Sequence, residues 1–352
     1  MLRLFVWGWI ALASVIVSAS AADDPLKKLG SFSAFSSIDL KRLEAGEILG
    51  EPGSQMDFPN GISTETCFAV PISAAEAAAR LQIWDPSLHG TLKTPEFHPI
   101  STSVTAAEFQ TLRLDPANRI QRWLLEKSLS TTTAKSDLNL CREECLRLAN
   151  LAKTNRRPEA VNSFWSGVLL ERARQFQKNG FAGLPAYEAG SQNVSPQAHL
   201  RSLLSEREGI CREFSPLLRD CGIFGTNRTT TLDPFHYWAL YEANRHATLS
   251  LGAVYLRPDS DRFQLLDVQY YVNGTYYTSV TLYEVWPIQF GEQTAALIWR
   301  GDFFSAPRLA YTRGVERMAV ASIILQELKT SIRNFQTEAS KPIAESSASK
   351  NP

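Results

Sequence analysis

Hydrophobic positions follow a helical period in the middle of the chain and a strand period after it. From Ser103 to Cys221 apolar residues recur at helical spacing, most clearly in the helix that Pro158 begins. From Phe235 onward polar and apolar residues alternate in runs rich in tyrosine, valine and threonine, which is typical of strands. The last periodic segment, Arg313–Phe335, repeats at 4-3-4-3 spacing and predicts one long amphipathic helix.

The N-terminal part combines both kinds of element. Gly61–Val70 alternates as a strand, and the alanine-rich segment Ala75–Ile83 predicts a helix with Ser73 as its cap. The whole pattern predicts an α+β fold: an antiparallel sheet with a long C-terminal helix packed on it, and a helical block inserted in the middle of the chain. The predicted parts are a signal peptide at 1–21, a strand and helix at 38–102, the helical insertion or subdomain at 103–230, the sheet and C-terminal helix at 231–336, and a disordered tail at 337–352.

The Asn273-Gly274 dipeptide is the sharpest turn signal, since it separates the strand-like arms Phe263–Val272 and Thr275–Trp286. Such a dipeptide favours a two-residue type I′ turn, which would pair Val272 with Thr275. One face of the resulting hairpin would mix aromatic, apolar and acidic groups, namely Phe263, Leu265, Asp267, Gln269 and Tyr271 with Tyr276, Thr278, Val280, Leu282 and Glu284. This mixture suits a cavity with a few polar contacts, while the alternative is a sheet packed on both sides.

The first residues carry an export signal. Arg3 precedes an apolar stretch from Leu4 to Val17, and Ala19-Ser20-Ala21 fits a cleavage site. We therefore predict a secreted or periplasmic protein with a cleaved signal peptide, with an uncleaved N-terminal membrane anchor as the alternative. Membrane or cell-envelope association is compatible with either form.

Charge and cysteine content narrow the function classes. The chain has 36 basic and 36 acidic side chains, so its bulk charge gives no indication of nucleic-acid binding. The cysteines are Cys67, Cys141, Cys145, Cys211 and Cys221. Pairing of Cys211 with Cys221, or of Cys141 with Cys145, is open beside the interpretation that the thiols are buried and reduced. The spacing of cysteines and histidines does not indicate a metal site, and no cofactor is predicted.

Catalytic signals are weak in this sequence. His236 and His246 are candidate general bases for a hydrolase-like enzyme, but the sequence has no nucleophile elbow or zinc-protease motif to accompany them. Asp267 and Glu284 lie well apart along the predicted hairpin, so they do not form an evident acid pair. We therefore predict no catalytic residue, and an envelope structural or interaction module remains a further alternative.

The order of elements resembles the helix-grip layout of START-like (SRPBCC) ligand-binding domains. The resemblance rests on the strand and small-residue helix over Gly61–Ile83, the antiparallel sheet, the closing C-terminal helix, and Ser305-Ala-Pro-Arg308 at the position of a loop at the cavity mouth. The resemblance covers about half the chain. The helical block has no counterpart in this layout, so it would be an insertion or a lid. The resemblance implies binding of a lipid or another apolar molecule.

The predicted function is therefore binding of an apolar or amphipathic, lipid-like molecule without catalysis. The ligand would lie in a cavity between the sheet and the C-terminal helix. The predicted ligand-binding residues are Tyr271, Tyr276, Val280 and Leu282 from the sheet, with Leu325 and Leu328 from the helix.

Overall fold

Eight antiparallel strands of one sheet form the centre of the molecule. The computed structural model describes residues 24–132, 136–189, 192–225 and 232–341, so the predicted signal peptide and most of the predicted tail lie outside the described residues. In chain order the strands are β1 (Leu49–Pro52), β2 (Gly61–Val70), β3 (Glu96–Ile100), β4 (Tyr187–Ala189), β5 (Gln192–Val194), β6 (Phe235–Ala243), β7 (His246–Pro258), β8 (Phe263–Val272), β9 (Thr278–Phe290) and β10 (Gln293–Ser305). The sheet order is β1-β2-β10-β9-β8-β7-β6-β3, and β4 and β5 form a separate small hairpin.

Helices cover both faces of this sheet. They are α1 (Pro25–Phe32), α2 (Leu40–Glu44), α3 (Ala74–Gln82), α4 (Arg119–Leu129), α5 (Arg142–Thr154), α6 (Pro158–Asn179), α7 (Pro196–Ser205), α8 (Glu208–Glu213), α9 (Ser215–Asp220) and α10 (Val315–Ala339). The larger core joins α1 and the block α4–α9 to one face of the sheet. The smaller core joins α3 and the C-terminal half of α10 to the other face. All ten residues of β2 are buried, as expected for a strand whose two sides are both covered.

The predicted fold class is confirmed. The protein is α+β, its main sheet is antiparallel, and the C-terminal helix packs on it with Ile332, Phe335 and Ala339 facing the strands. The helix begins after Gly314 and continues to Ala339, which is into the segment predicted as a disordered tail. Ser73 caps α3 as predicted, because its hydroxyl accepts a hydrogen bond from the backbone NH of Glu76 at 3.2 Å.

The tight hairpin turn was predicted at the wrong place. Asn273 and Gly274 do not have positive φ, and Thr275 lies outside the strands. The two-residue turn with positive φ at both central residues is Asn244-Arg245, with φ of 50° and 65°, and it joins β6 to β7. The strand-like pattern from Phe235 onward gave no indication of this turn.

Contacts from distant residues widen the loop at Asn273. The Asn139 side chain donates hydrogen bonds to the carbonyls of Val272 (2.8 Å) and Tyr276 (2.7 Å). The Asn273 side chain accepts a hydrogen bond from the backbone NH of Leu249 at 3.0 Å. These bonds satisfy the backbone groups that a tight turn would otherwise pair, so the chain crosses from β8 to β9 through a five-residue loop, 273–277.

The register of β8 with β9 differs from the prediction by one residue. Val268 lies opposite Val280 and Asp267 lies opposite Thr281. Because strand side chains alternate, this shift moves Val280, Leu282 and Glu284 to the face opposite Asp267 and Gln269. A bulge, where the β7–β8 register shifts between Leu251 and Gly252, also turns Tyr271 to the face that carries Tyr270.

Buried ion pairs fix the helical block on its face of the sheet. Arg172 on α6 donates to both carboxylate oxygens of Glu144 on α5, and its guanidinium lies 4.3 Å from the centre of the Tyr271 ring. Glu65 on β2 accepts hydrogen bonds from Arg207 and from the indole of Trp299. These contacts join the helical block to the sheet on the face that holds the larger core.

Candidate functional site: a cavity beneath the C-terminal helix

A cavity of about 210 Å³ lies between the sheet, α3 and α10. The alanines Ala77 and Ala78 let α3 approach the strands closely, and Phe335 of α10 packs against Phe68 of β2. These contacts fill the space over β2. The space over the more distant strands stays open, and Ser331 is the residue of α10 that faces it.

One part of the cavity wall is apolar. It is formed by Leu81 and Trp84 at the end of α3, by Phe97 of β3, and by Ala239 and Val254 of the sheet. The Phe97 ring stacks on Tyr237 with centroids 4.8 Å apart. This wall can accommodate an aromatic or aliphatic group.

Another part of the wall carries a partly buried carboxyl group. Asp267 of β8 accepts a hydrogen bond from the Tyr237 hydroxyl at 2.9 Å. Burial raises the pKa of Asp267 from its ordinary 3.8 to about 6, although the Tyr237 hydrogen bond and the charge of Arg300 act in the other direction. The side chain is therefore an acid whose charge changes close to neutral pH.

A second acid beside it is fully paired. Arg300 of β10 donates from Nε and Nη2 to the two oxygens of Asp302, at 2.8 and 2.7 Å, and Thr281 donates to Asp302 at 2.8 Å. The guanidinium lies 5.3 Å from the centre of the Tyr283 ring. Although burial alone lowers it, the Asp302 charge holds the pKa of Arg300 above its ordinary value. Arg300 thus remains a cation whose charge Asp302 offsets.

Hydroxyl groups surround a single amide further along the same strand. The side-chain carbonyl of Gln269 accepts hydrogen bonds from Tyr276 and from Ser279, the latter at 3.0 Å. The hydroxyls of Tyr241 and Tyr276 are also bonded to each other. Tyr241 of this cluster and Thr94 also line a neighbouring cavity of about 320 Å³.

The C-terminal end of α10 is fastened beside the cavity. Glu338 accepts a hydrogen bond from the indole of Trp84 at 3.1 Å, and the His89 ring nitrogen lies 3.0 Å from the same carboxylate oxygen. Arg80 of α3 donates to the Glu338 carbonyl at 3.1 Å. These contacts hold the helix over the sheet, so a ligand larger than the cavity would require them to open.

The predicted ligand-binding residues are distributed over different places. Tyr271, Val280 and Leu282 lie on the opposite face of the sheet, in the core shared with the helical block. This placement contradicts the prediction and follows from the register shift and the bulge. Tyr276 reaches the polar wall through its hydroxyl. Leu325 and Leu328 lie on α10 outside the cavity lining, where Leu325 approaches Gly50 of β1.

The candidate histidines also lie elsewhere. His236 is buried on the helical-block face, with its ring 6.1 Å from that of Phe176. His246 stacks on Trp123 with centroids 4.0 Å apart. Partial burial, together with the charges of Arg308 and Lys127, lowers the pKa of His246. Neither histidine belongs to the lining of the cavity.

Other expectations concern the cysteines, metal ligands and membrane spans. No disulfide joins the five cysteines, all of which lie in the described ranges. Within those ranges no cluster of acids, histidines and cysteines is suited to a metal ion. None of the described helices is both long and apolar enough to span a membrane.

Comparison with known proteins found no match. No family model, no curated protein and no solved structure matches the chain significantly.

Proposed function

We propose that the protein binds a small amphipathic molecule in the cavity between the sheet and α10. The observation that carries the proposal is the contrast between the two parts of one wall. Leu81, Trp84 and Val254 form an apolar surface, while Asp267 and Gln269 present partly buried polar groups to the same space. Binding sites for small molecules combine these features, and a buried polar cavity is filled by water or by a ligand.

The order of elements supports the helix-grip resemblance as part of this proposal. The sheet order β2-β10-β9-β8-β7-β6-β3, followed by α10 lying on β1 and β2, suits a layout in which the last helix covers a cavity. The helical block enters between β3 and β6, which are neighbours in the sheet, so an insertion there leaves the sheet order intact. Fold alone does not determine a function, so the proposal rests on the cavity.

The size of the cavity limits the ligand. Its volume of about 210 Å³ is below the roughly 300–1,000 Å³ of sites for drug-sized ligands. We therefore propose a ligand with one or two rings or a short chain, rather than a long acyl chain, as long as the contacts of Glu338 stay closed.

Two serine variants on α10 provide the test. Ser331→Phe places an aromatic ring into the cavity, whereas Ser322→Phe places the same ring on the exposed side of the same helix. Native mass spectrometry of the purified proteins, followed by organic extraction, should show a small ligand with wild type and Ser322→Phe and its loss in Ser331→Phe. Retention of the ligand by a folded Ser331→Phe protein, or absence of any ligand in wild type purified from its own source, would contradict the proposal.

Export is proposed on the sequence of residues 1–21 and has its own test. The described structure begins with Asp24, whose side chain caps α1, and Leu29 of that helix is fully buried. N-terminal sequencing of the mature protein should give Ala22 as the first residue, and an intact Met1 would favour the membrane-anchored alternative.

A further inference from the structure

The charges around the cavity do not balance when the protein is considered alone. Two carboxyl groups, Asp267 and Asp302, lie beside one guanidinium, that of Arg300. Arg300 directs its hydrogen bonds to Asp302, which leaves the neutral Tyr237 hydroxyl as the hydrogen-bond partner of Asp267. An ionised Asp267 is therefore a partly buried charge without a full counter-charge, and its desolvation costs free energy unless a cation compensates it.

Two tyrosine hydroxyls at the polar wall have their hydrogens engaged within the protein. A tyrosine hydroxyl has one hydrogen to donate and lone pairs that accept. Tyr237 donates to Asp267, and Tyr276 donates to Gln269. With these hydrogens engaged, these two hydroxyls offer lone pairs to a ligand, which suits a ligand that brings its own donor.

Aromatic rings make up much of the remaining wall. Trp84, Phe97, Tyr237, Tyr241 and Tyr283 all contribute to it. The faces of aromatic rings attract alkylated ammonium groups for two reasons. The ring quadrupole is negative at the face, and an alkylated ammonium group is only weakly hydrated, so it loses little when it leaves water. Tyr283 already has one cation beside its ring, that of Arg300.

From the charge, the hydroxyl pattern and the aromatic walls together, we propose that the ligand of this cavity is a small organic cation of the alkylated ammonium class. Asp267 supplies its counter-charge, and Trp84, Phe97 and Tyr241 surround its alkyl groups. This inference rests on the proposed function and specifies the chemistry of the ligand in the same cavity.

Three molecules of the same shape and different charge separate the possibilities. Choline carries a trimethylammonium group, 3,3-dimethyl-1-butanol carries the neutral tert-butyl equivalent, and 3,3-dimethylbutanoate carries a negative charge. Calorimetric titration of the purified protein at about pH 7.5, above the pKa of Asp267, should show choline binding at least about tenfold more tightly than the neutral alcohol, and no binding of the acid. Equal or tighter binding of the neutral molecule, or no measurable binding of choline at millimolar concentration, overturns the inference.

Removal of the counter-charge tests the role of Asp267. Asp267→Asn keeps the shape and an oxygen for the Tyr237 hydrogen bond, and Asp57→Asn removes an equivalent charge from the exposed surface. Choline affinity should fall about tenfold or more in Asp267→Asn and stay unchanged in Asp57→Asn, while affinity for the neutral alcohol is unaffected in both. Unchanged choline affinity in a folded Asp267→Asn protein overturns the inference.

The pH dependence of wild type gives a second measurement that needs no variant. The groups facing Asp267 are Tyr237 and Tyr241 of β6, Tyr283 of β9, and Arg300 and Asp302 of β10, while α3 and α10 contribute the uncharged Gln82 and Ser331. Choline affinity should fall as the pH decreases through about 6, whereas affinity for the neutral alcohol should not. A flat profile for choline contradicts the role of Asp267.

Failure of the cation proposal can be distinguished from failure of the proposed function. If choline does not bind but neutral ring compounds do, and Ser331→Phe abolishes their binding, the cavity is still a binding site for a small molecule.

Discussion

Individual side chains carry the polar wall of the cavity, and Asp267 is the most informative of them. Its carboxyl group sits among tyrosines on a strand, where a protein that only needed to pack its core would place an apolar residue. Arg300 and Asp302 form a pair on the neighbouring part of the wall. An acid at this position departs from ordinary core packing, and the proposed binding of a cation depends on it.

Asp267 should lower stability at neutral pH. Because its folded-state pKa is raised from 3.8 to about 6, the folded protein binds a proton more readily than the unfolded chain. The free energy of unfolding should therefore decrease as the pH rises from about 4 to about 6, by up to roughly 2–3 kcal/mol. Chemical denaturation at several pH values should show this loss in wild type and its absence in Asp267→Asn. A wild-type protein that gains stability over this range relative to Asp267→Asn would contradict the burial of the carboxyl group.

The Arg300–Asp302 pair should be costly to break from one side. Arg300→Met leaves the fully buried Asp302 without its cation, and we expect a loss of about 3–5 kcal/mol in the free energy of unfolding. The double variant Arg300→Met/Asp302→Asn removes both charges and should recover most of this loss. Denaturant titration measures both. A loss below about 1 kcal/mol in the single variant would mean that Asp302 is hydrated or protonated instead.

At the level of elements, the β6–β7 hairpin shows how a turn can be hidden in a sequence. Asn244-Arg245 adopts the two positive φ values that a type I′ turn requires, although arginine is a poor residue for the second position. Arg245→Gly should raise the free energy of unfolding by about 0.5–1 kcal/mol, because glycine adopts positive φ without steric cost. Arg257→Gly, at a strand position with ordinary φ, should instead lower stability by about 1 kcal/mol. If Arg245→Gly destabilises as much as Arg257→Gly does, the turn lies elsewhere.

Local patterns predicted the elements better than their pairing. The helix from Pro158, strand β2 and the long C-terminal helix follow from periodicity and capping residues that act within a few positions. Strand β3 was not predicted, because Pro99 interrupts its pattern. The proline is tolerated because β3 is an edge strand of the sheet and pairs only with β6.

The site could be predicted only in part, because a residue distant in sequence determines the strand register. The predicted register depended on Asn273-Gly274, but hydrogen bonds from Asn139, which is more than a hundred residues away, widen that loop. A shift of one residue then moves both Val280 and Leu282 from the predicted cavity face to the opposite face of the sheet. Asp267 and Gln269 were correctly recognised as polar members of a strand face, yet Tyr237, Arg300 and Trp84 join them only through the tertiary fold.

For the whole molecule, the division of the sheet into two faces is the main organising feature. The helical block fills one face with a large core, and Tyr271, Val280 and Leu282 belong to that core. On the other face α3 and α10 contact the strands at one side and leave a cavity at the other. Stability therefore resides mainly on the first face and the proposed binding function on the second.

The most direct test compares methyl groups on the two faces during a titration. Val254 lines the cavity, whereas Val268 lies in the core with the helical block. With methyl-labelled protein, adding a single-ring amine such as phenethylamine should shift the NMR resonances of Val254 and Ala239 in a saturable manner and leave those of Val268 in place. Saturable shifts confined to Val268 or to surface methyl groups, with the Val254 resonances unchanged, would show that phenethylamine does not bind in the cavity beneath α10 and would contradict the account.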